Sequence, residues 1–169
     1  MEAKRECDCQ EAQKAFRSET IKIEEMQNLT IESESERIDE TGKIDVSNYL
    51  GQSFAEIEKE VSDLENISVP GTAKYQNSAL VITGTDESNI VRIRLDNTSD
   101  YSADGISCGM AETEAEEILY KKNWGFMGMS ELGWKLYSNH SQRIATKAEA
   151  GVIVQIYVAL EEYFPFKVN

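Results

Sequence analysis

This chain has few of the residues from which catalytic centres and covalent frameworks are usually built. Among 169 residues there is one histidine, three cysteines and two prolines. With His140 as the lone imidazole and no Gly-x-Ser-x-Gly elbow, a Ser-His-Asp arrangement has little to stand on. Cys108 and His140 form a pair that any chain of this content could show. A Walker loop and a Gly-x-Gly-x-x-Gly turn are both missing, so no phosphate cradle is legible. Carboxylates are plentiful, but nothing in their spacing singles out an acid-base pair. The expectation is a protein that is not an enzyme and carries no cofactor.

The cysteines are equally sparse in meaning. Cys7, Cys9 and Cys108 are odd in number and irregular in spacing, which speaks against a disulfide framework. Cys7-Asp8-Cys9 offers two thiols where a tetrahedral metal needs four ligands, and His140 lies far along the sequence. Asp100-Tyr101-Ser102-Ala103-Asp104-Gly105 opens like a calcium loop, with oxygen ligands at the first, third and fifth places and glycine at the sixth. The twelfth place is Ala111, where a bidentate glutamate belongs, so the string reads as a linker rich in turn formers. No metal site is expected.

No stretch approaches eighteen apolar residues, so no membrane-spanning helix is expected. Met1-Glu2-Ala3-Lys4-Arg5-Glu6 has no hydrophobic signal-peptide core; either the protein stays in the cytoplasm, or an export or anchor segment is missing from the sequence.

Acidic charge is what the chain does have. Thirty-one Asp and Glu against seventeen Lys and Arg give a formal charge of −14. That field repels phosphate backbones, which argues against nucleic acid, and it favours solubility or steering toward a basic partner. Residues 1–44 form a charged arm, expected as a helix near Glu2 to Arg17, an extended piece at Thr20 to Ile23 and a linker ending near Gly42-Lys43.

Beyond the arm, one pattern is written twice. The run Leu50-Gly51-Gln52-Ser53-Phe54-Ala55-Glu56-Ile57 is echoed by Cys108-Gly109-Met110-Ala111-Glu112-Thr113-Glu114-Ala115, and each is followed by strand-like segments. Val46, Tyr49 and Leu50 suggest a short helix closed by Gly51. Ser53 and Glu56 suggest a capping box before a helical stripe of Phe54, Ile57, Val61 and Leu64. Strands are expected near residues 73–77, 79–83 and 89–95, the last two joined by a polar hairpin loop at 84–88. Val91, Ile93 and Leu95 align with Val154, Ile156 and Val158, and both sets are expected to face inward. The second copy gains about five residues around Gly125 to Met129 and carries Ala111 where a cap residue belongs, a loss of about 1 kcal/mol. The fold class is therefore expected to be α+β. It is read as two tandem helix-helix-antiparallel-sheet repeats over residues 45–99 and 100–169, forming one continuous sheet with helices on one face.

A duplicated unit of this kind resembles the β-lactamase-inhibitor-protein-like fold, which occurs singly in the small lipoprotein of the outer-membrane barrel assembly machinery. The run from Gly105 to Leu119 looks like the helix entry of that group, and it is similar to secreted or membrane-anchored proteins of Gram-positive bacteria. The paired cysteines of such inhibitors are absent here. The resemblance implies a non-enzymatic module that grips another protein with a concave sheet face, and an extracytoplasmic location if a signal or anchor precedes it.

Strand alternation places Val81, Thr83, Arg92 and Arg94 on one half of the open face, with Arg143, Ala145, Gln155 and Tyr157 on the other. Arginine and tyrosine often anchor interfaces, so Arg92, Arg94, Arg143, Tyr157 and Gln155 are candidate partner-binding residues. By analogy with the inhibitor fold, the acidic tip Asp86-Glu87 is a second candidate that would suit a basic pocket. Trp124, Phe126 and Trp134 read as core aromatics. The functional expectation is an inhibitor or immunity-type protein binding another protein of unknown identity; the competing expectation is an envelope-associated or anchored structural domain.

Overall fold

The computed structural model of the protein describes residues 38–169. The expected helix and extended piece of the N-terminal arm lie outside the described residues. The described unit contains ten strands: β1 (Ile44–Asp45), β2 (Glu65–Asn66), β3 (Ala73–Gln76), β4 (Leu80–Asp86), β5 (Asn89–Leu95), β6 (Tyr101–Ser102), β7 (Gly125–Met129), β8 (Lys135–Asn139), β9 (Gln142–Glu149) and β10 (Val152–Leu160). Two α-helices accompany them, α1 (Phe54–Ile57) and α2 (Glu112–Lys121), with short 3-10 turns at Val46–Tyr49 and Glu161–Tyr163. Eight strands form one antiparallel sheet in the order β2-β3-β4-β5-β10-β9-β8-β7, while β1 and β6 pair in parallel as a separate ribbon.

This architecture corrects the expectation of two helix-helix-sheet repeats. Among the described residues sheet dominates, and α-helix is limited to ten residues in α2 and a single turn in α1. The stripe Phe54, Ile57 and Val61 is buried as its spacing demands. It reaches the core without a long helix, because α1 ends at Ile57 and gives way to turns that hold Val61 to the Ile57 carbonyl, before the chain reverses at Asp63, whose φ is +59°, and runs on into the edge strand β2. An aspartate tolerates that left-handed conformation better than most residues. Ser53 does occupy the N-cap position of α1, but its side chain makes no capping bond. The second helix stands alone, preceded by the ribbon strand β6 and not by a partner helix. Its cap residue is Ala111, and the Glu112 amide is satisfied instead by the Gly151 carbonyl at 2.9 Å.

One face of the sheet carries the core. Register pairs Leu80 with Leu95, Leu95 with Ile156, and Ile156 with Thr146; the next row runs Tyr75, Ile82, Ile93, Val158, Ile144, Tyr137. Side chains opposite one another across antiparallel strands share a face. Onto this face fold Val46, Tyr49, Phe54 and Ile57 from the first half and Ala115, Leu119 and Trp124 from the second. Phe54 stacks on Tyr75 with ring centroids 4.5 Å apart. Gly84 lets that ring in: a Cβ there would sit 2.6 Å from Phe54 Cε2 and 2.5 Å from the Asp86 carbonyl oxygen.

Two bulges alter the expected inward sets. The register of β5 on β4 shifts between Ile90 and Arg92, and that of β10 on β9 shifts between Ile153 and Gln155. A bulge inserts one residue and swaps the side of what precedes it. Ile90 and Ile153 therefore join the core cluster, while Val91 is buried but outside that cluster and Val154 is only half-buried. The inward role assigned to Val154 is thus taken by Ile153.

Asp45 anchors the turn that follows β1. Its Oδ1 accepts from the Ser47 amide at 3.0 Å, the Ser47 hydroxyl at 2.5 Å and the Asp104 amide at 2.9 Å. Burial pushes its carboxyl above the usual value, against the pull of those hydrogen bonds.

Two outcomes follow. Ile156→Asp places an unpaired charge at a fully buried position and is expected to abolish cooperative folding, whereas Val154→Asp at the half-buried bulge should cost about 1–2 kcal/mol; urea denaturation by circular dichroism separates them. For Asp45, a raised carboxyl pKa means that its contribution to stability is complete below the unfolded value of 3.8 and is lost as pH rises through the folded value. Asp45→Asn, which imitates the neutral acid and keeps the accepting oxygen, should raise Tm at neutral pH, with the gain vanishing in acid; a Tm change independent of pH would contradict this.

Candidate functional site

The other face of the sheet is built by the alternate residues of the same strands. One cross-strand row runs Lys74, Thr83, Arg92, Ala159, Arg143, Ser138, and the next runs Gln76, Val81, Arg94, Tyr157, Ala145, Leu136. Arg92, Arg94, Arg143 and Tyr157 therefore share this face, and Gln155 lies two residues before Tyr157 along β10. Small residues stand between the cations of the first row, at Thr83 and Ala159. With strands about 4.8 Å apart, Lys74, Arg92 and Arg143 recur about every 10 Å across the sheet.

The chemistry along this face is uneven. Arg94 is held by Asp96, its Nε and Nη2 both donating to one carboxylate oxygen at 3.0 and 2.7 Å. Its Nη1 also reaches the Tyr157 hydroxyl at 3.4 Å, and its guanidinium lies over that ring, 5.8 Å from the centroid. The other oxygen of Asp96 accepts from Gln155 Nε2 at 2.8 Å. Gln155, Asp96, Arg94 and Tyr157 are thus linked in one chain of contacts. Arg143 is likewise committed, to Glu161 and to the carbonyls of His140 and Gln142. Arg92, half-exposed, has no ion pair or hydrogen bond partner for its guanidinium among the described residues, and neither does the ammonium of Lys74.

The second half of this face is not open. Residues after β10 turn back across it, and Phe164 and Phe166 pack with Trp134, Leu136, Ala145 and Tyr157 in a second hydrophobic cluster. Phe166 meets Trp134 at 4.8 Å and Tyr157 edge-on at 5.2 Å. The segment reaches β7, where the Asn169 amide donates to the Met129 carbonyl at 3.0 Å. The sequence carries a signal for this strap: Phe164, Phe166 and Val168 alternate with Pro165 and Lys167 as a half-covered extended segment does. Lys74 and the strap are the functional features that strand-face reasoning over residues 79–95 and 142–158 missed.

Asp86 and Glu87 lie away from this face, at the turn between β4 and β5. Asp86 Oδ1 accepts from the Ser88 amide at 2.8 Å and hydroxyl at 2.5 Å, and these bonds hold its carboxyl below the usual range. Glu87 accepts from the core-side Tyr75 hydroxyl at 3.4 Å, and its carbonyl takes the Phe54 amide. The tip is thus engaged in holding the turn and α1.

The remaining sequence candidates are accounted for by local structure. Asp104 receives Lys122 at 2.9 Å and the Trp124 indole N–H, so the calcium-like string is tied to the segment that follows α2. Among the described residues, no three His, Cys, Asp or Glu side chains gather as a metal cluster. Cys108 is buried, its thiol pushed up to about 11 chiefly by burial, and His140 is exposed in the turn between β8 and β9. Among the described residues no helix is long and apolar enough to cross a membrane.

Neither a family model nor a curated protein matches the chain. A solved structure described as a cysteine-rich secretory protein from Staphylococcus aureus is similar, with a TM-score of 0.51 at 10% identity over 75% of this chain and 51% of that one. This chain spans about half the length of that protein, and at such identity the likeness is one of fold alone. This match is to a different kind of protein and corrects the expected resemblance to β-lactamase inhibitor proteins.

Proposed function

We propose that residues 38–169 form a non-enzymatic protein-binding module whose uncovered sheet face, over β3, β4 and β5, receives a carboxylate-bearing extended segment of a partner. The observation that carries this reading is Arg92: a half-exposed guanidinium in the middle of a strand face, two strands from Lys74 in the same cross-strand row and without a counter-charge among the described residues. In a chain of charge −14, acid partners are abundant, so an unpaired arginine two strands from an unpaired lysine is an unused docking charge. Arginine meets a carboxylate with two parallel hydrogen bonds, which fixes register as well as supplying energy. The neighbouring Arg94–Asp96–Gln155–Tyr157 network holds the adjacent row in one arrangement, so the surface is set before a partner arrives. The strap limits the docking area to the first half of the sheet. Because the whole chain repels acidic proteins at long range, the fitting partner presents its carboxylates locally on a surface that is not strongly acidic overall.

A photo-crosslinking residue at Gln76 tests this in cells. It is expected to capture a discrete protein, and Arg92→Glu should reduce that capture about tenfold or more while changing stability by about 0.5 kcal/mol or less. Capture that persists unchanged in Arg92→Glu would remove the face from consideration.

A further inference from the structure

A separate cleft opens between α2 and the β7–β8 hairpin, with a volume of about 360 Å³ and a lining of Glu116, Tyr120, Trp124, Phe126, Lys135 and Tyr137. Four of those six side chains are aromatic. Tyr120 and Phe126 stand out from the surface, 82% and 60% exposed, whereas Trp124 and Tyr137 are buried and form the floor. Solvent-facing aromatics on opposite lips of a cleft are unusual, since such rings normally bury most of their area. The Phe126 and Tyr137 rings meet at 5.5 Å and 56°, making a corner and not a closed stack. Trp124 is fixed from behind by its N–H to Asp104.

The charge in the wall has a definite sign. Lys135 of β8 bonds Glu112 at 2.9 Å and also Glu116, both from α2, so one ammonium faces two carboxylates. Strand β7 adds no ionisable side chain. Glu116 and Lys135 line the cleft and pair with each other, and with Glu112 behind them the group of three carries one net negative charge beside four rings whose faces are themselves electron-rich. Nothing in this arrangement suits an anion. A bare ammonium is strongly hydrated and would compete with Lys135 for acceptors already in use. An alkylated cation gives up little hydration and offers methyl groups to the rings.

We propose that this cleft binds an alkylammonium group of the trimethylammonium kind, with Tyr120, Trp124, Phe126 and Tyr137 as walls and Glu116 as the balancing charge. Its volume lies at the small end of the range of about 300–1,000 Å³ typical of ligand sites, as befits a headgroup and not a large molecule. The site shares no residue with the sheet face, so either assignment stands without the other.

The test is a titration of the full chain with choline, followed by amide and indole NMR shifts. Its neutral isostere, with a tert-butyl group in place of trimethylammonium, is titrated in parallel. Choline should move the resonances of Tyr120, Trp124 and Phe126 saturably, and the isostere should bind about tenfold more weakly. Tyr120→Leu should weaken choline by about 3- to 30-fold, the range that one ring contributes to a cation site. Glu116→Gln, which keeps shape, should weaken choline and leave the isostere unchanged. Tyr120 is so exposed that its replacement does not threaten folding. Equal binding of the isostere, or a choline response unaffected by Tyr120→Leu, or no response, overturns the proposal. Retention on phosphatidylcholine vesicles but not phosphatidylglycerol vesicles identifies a lipid headgroup as the source, and choline binding without retention identifies a free ligand; both support the site.

Discussion

The pairing of β5 with β10 is the contact on which the rest of the structure depends. It brings Leu95 against Ile156 and Ile93 against Val158, joining segments more than sixty residues apart in sequence. All four side chains are fully buried. Without this seam, the strands on each side would be small sheets with one face uncovered, which are marginal in water. Because the pairing also sets what stands on the reverse side, it places Arg94 beside Tyr157 and Arg92 beside Ala159. One register therefore specifies both the middle of the core and the candidate surface. A slip of one residue would exchange the two faces outright.

Much of that surface was legible. The alternation through Arg92, Ile93, Arg94 and Leu95 assigns the arginines to one side and the aliphatics to the other, and the strand runs from Asn89 to Leu95 as its pattern suggests. What alternation cannot register is an extra residue. The bulges next to Val91 and Val154 leave the apolar composition untouched while changing which residue joins the main core cluster, so Ile90 and Ile153 had no distinguishing mark in the sequence. Helix length was misread for a related reason. Phe54, Ile57 and Val61 satisfy a helical spacing and are all buried, yet turns place them as well as a continuous helix would. Hydrophobic spacing reports which residues go inward and is indifferent to how the backbone delivers them.

β7 illustrates the opposite failure. Gly125-Phe126-Met127-Gly128-Met129 has no β-branched residue and two glycines, so local preference gives no sign of a strand, and the segment reads as an insertion. Tertiary pairing with β8 overrides that preference. The aromatics around it were legible as apolar but not as exposed: whether Phe126 is covered depends on what lies beyond the last strand, which no local pattern contains.

The ends of the sheet bear on how the protein behaves at high concentration. An uncovered strand edge invites another chain to extend the sheet, and stacking of that kind has no natural limit. At one end, β2 is only two residues long and carries Glu65. At the other, β7 is longer and apolar, but it is interrupted by a bulge near Gly128, and its Met129 carbonyl is already taken by the Asn169 amide. Val168 lies against Gly128 closely enough that a Cβ at that glycine would come within 2.8 Å of it. The same segment that covers half of the sheet's reverse face thus also blocks part of its border, and eight strands become a natural stopping point against fibrillar growth.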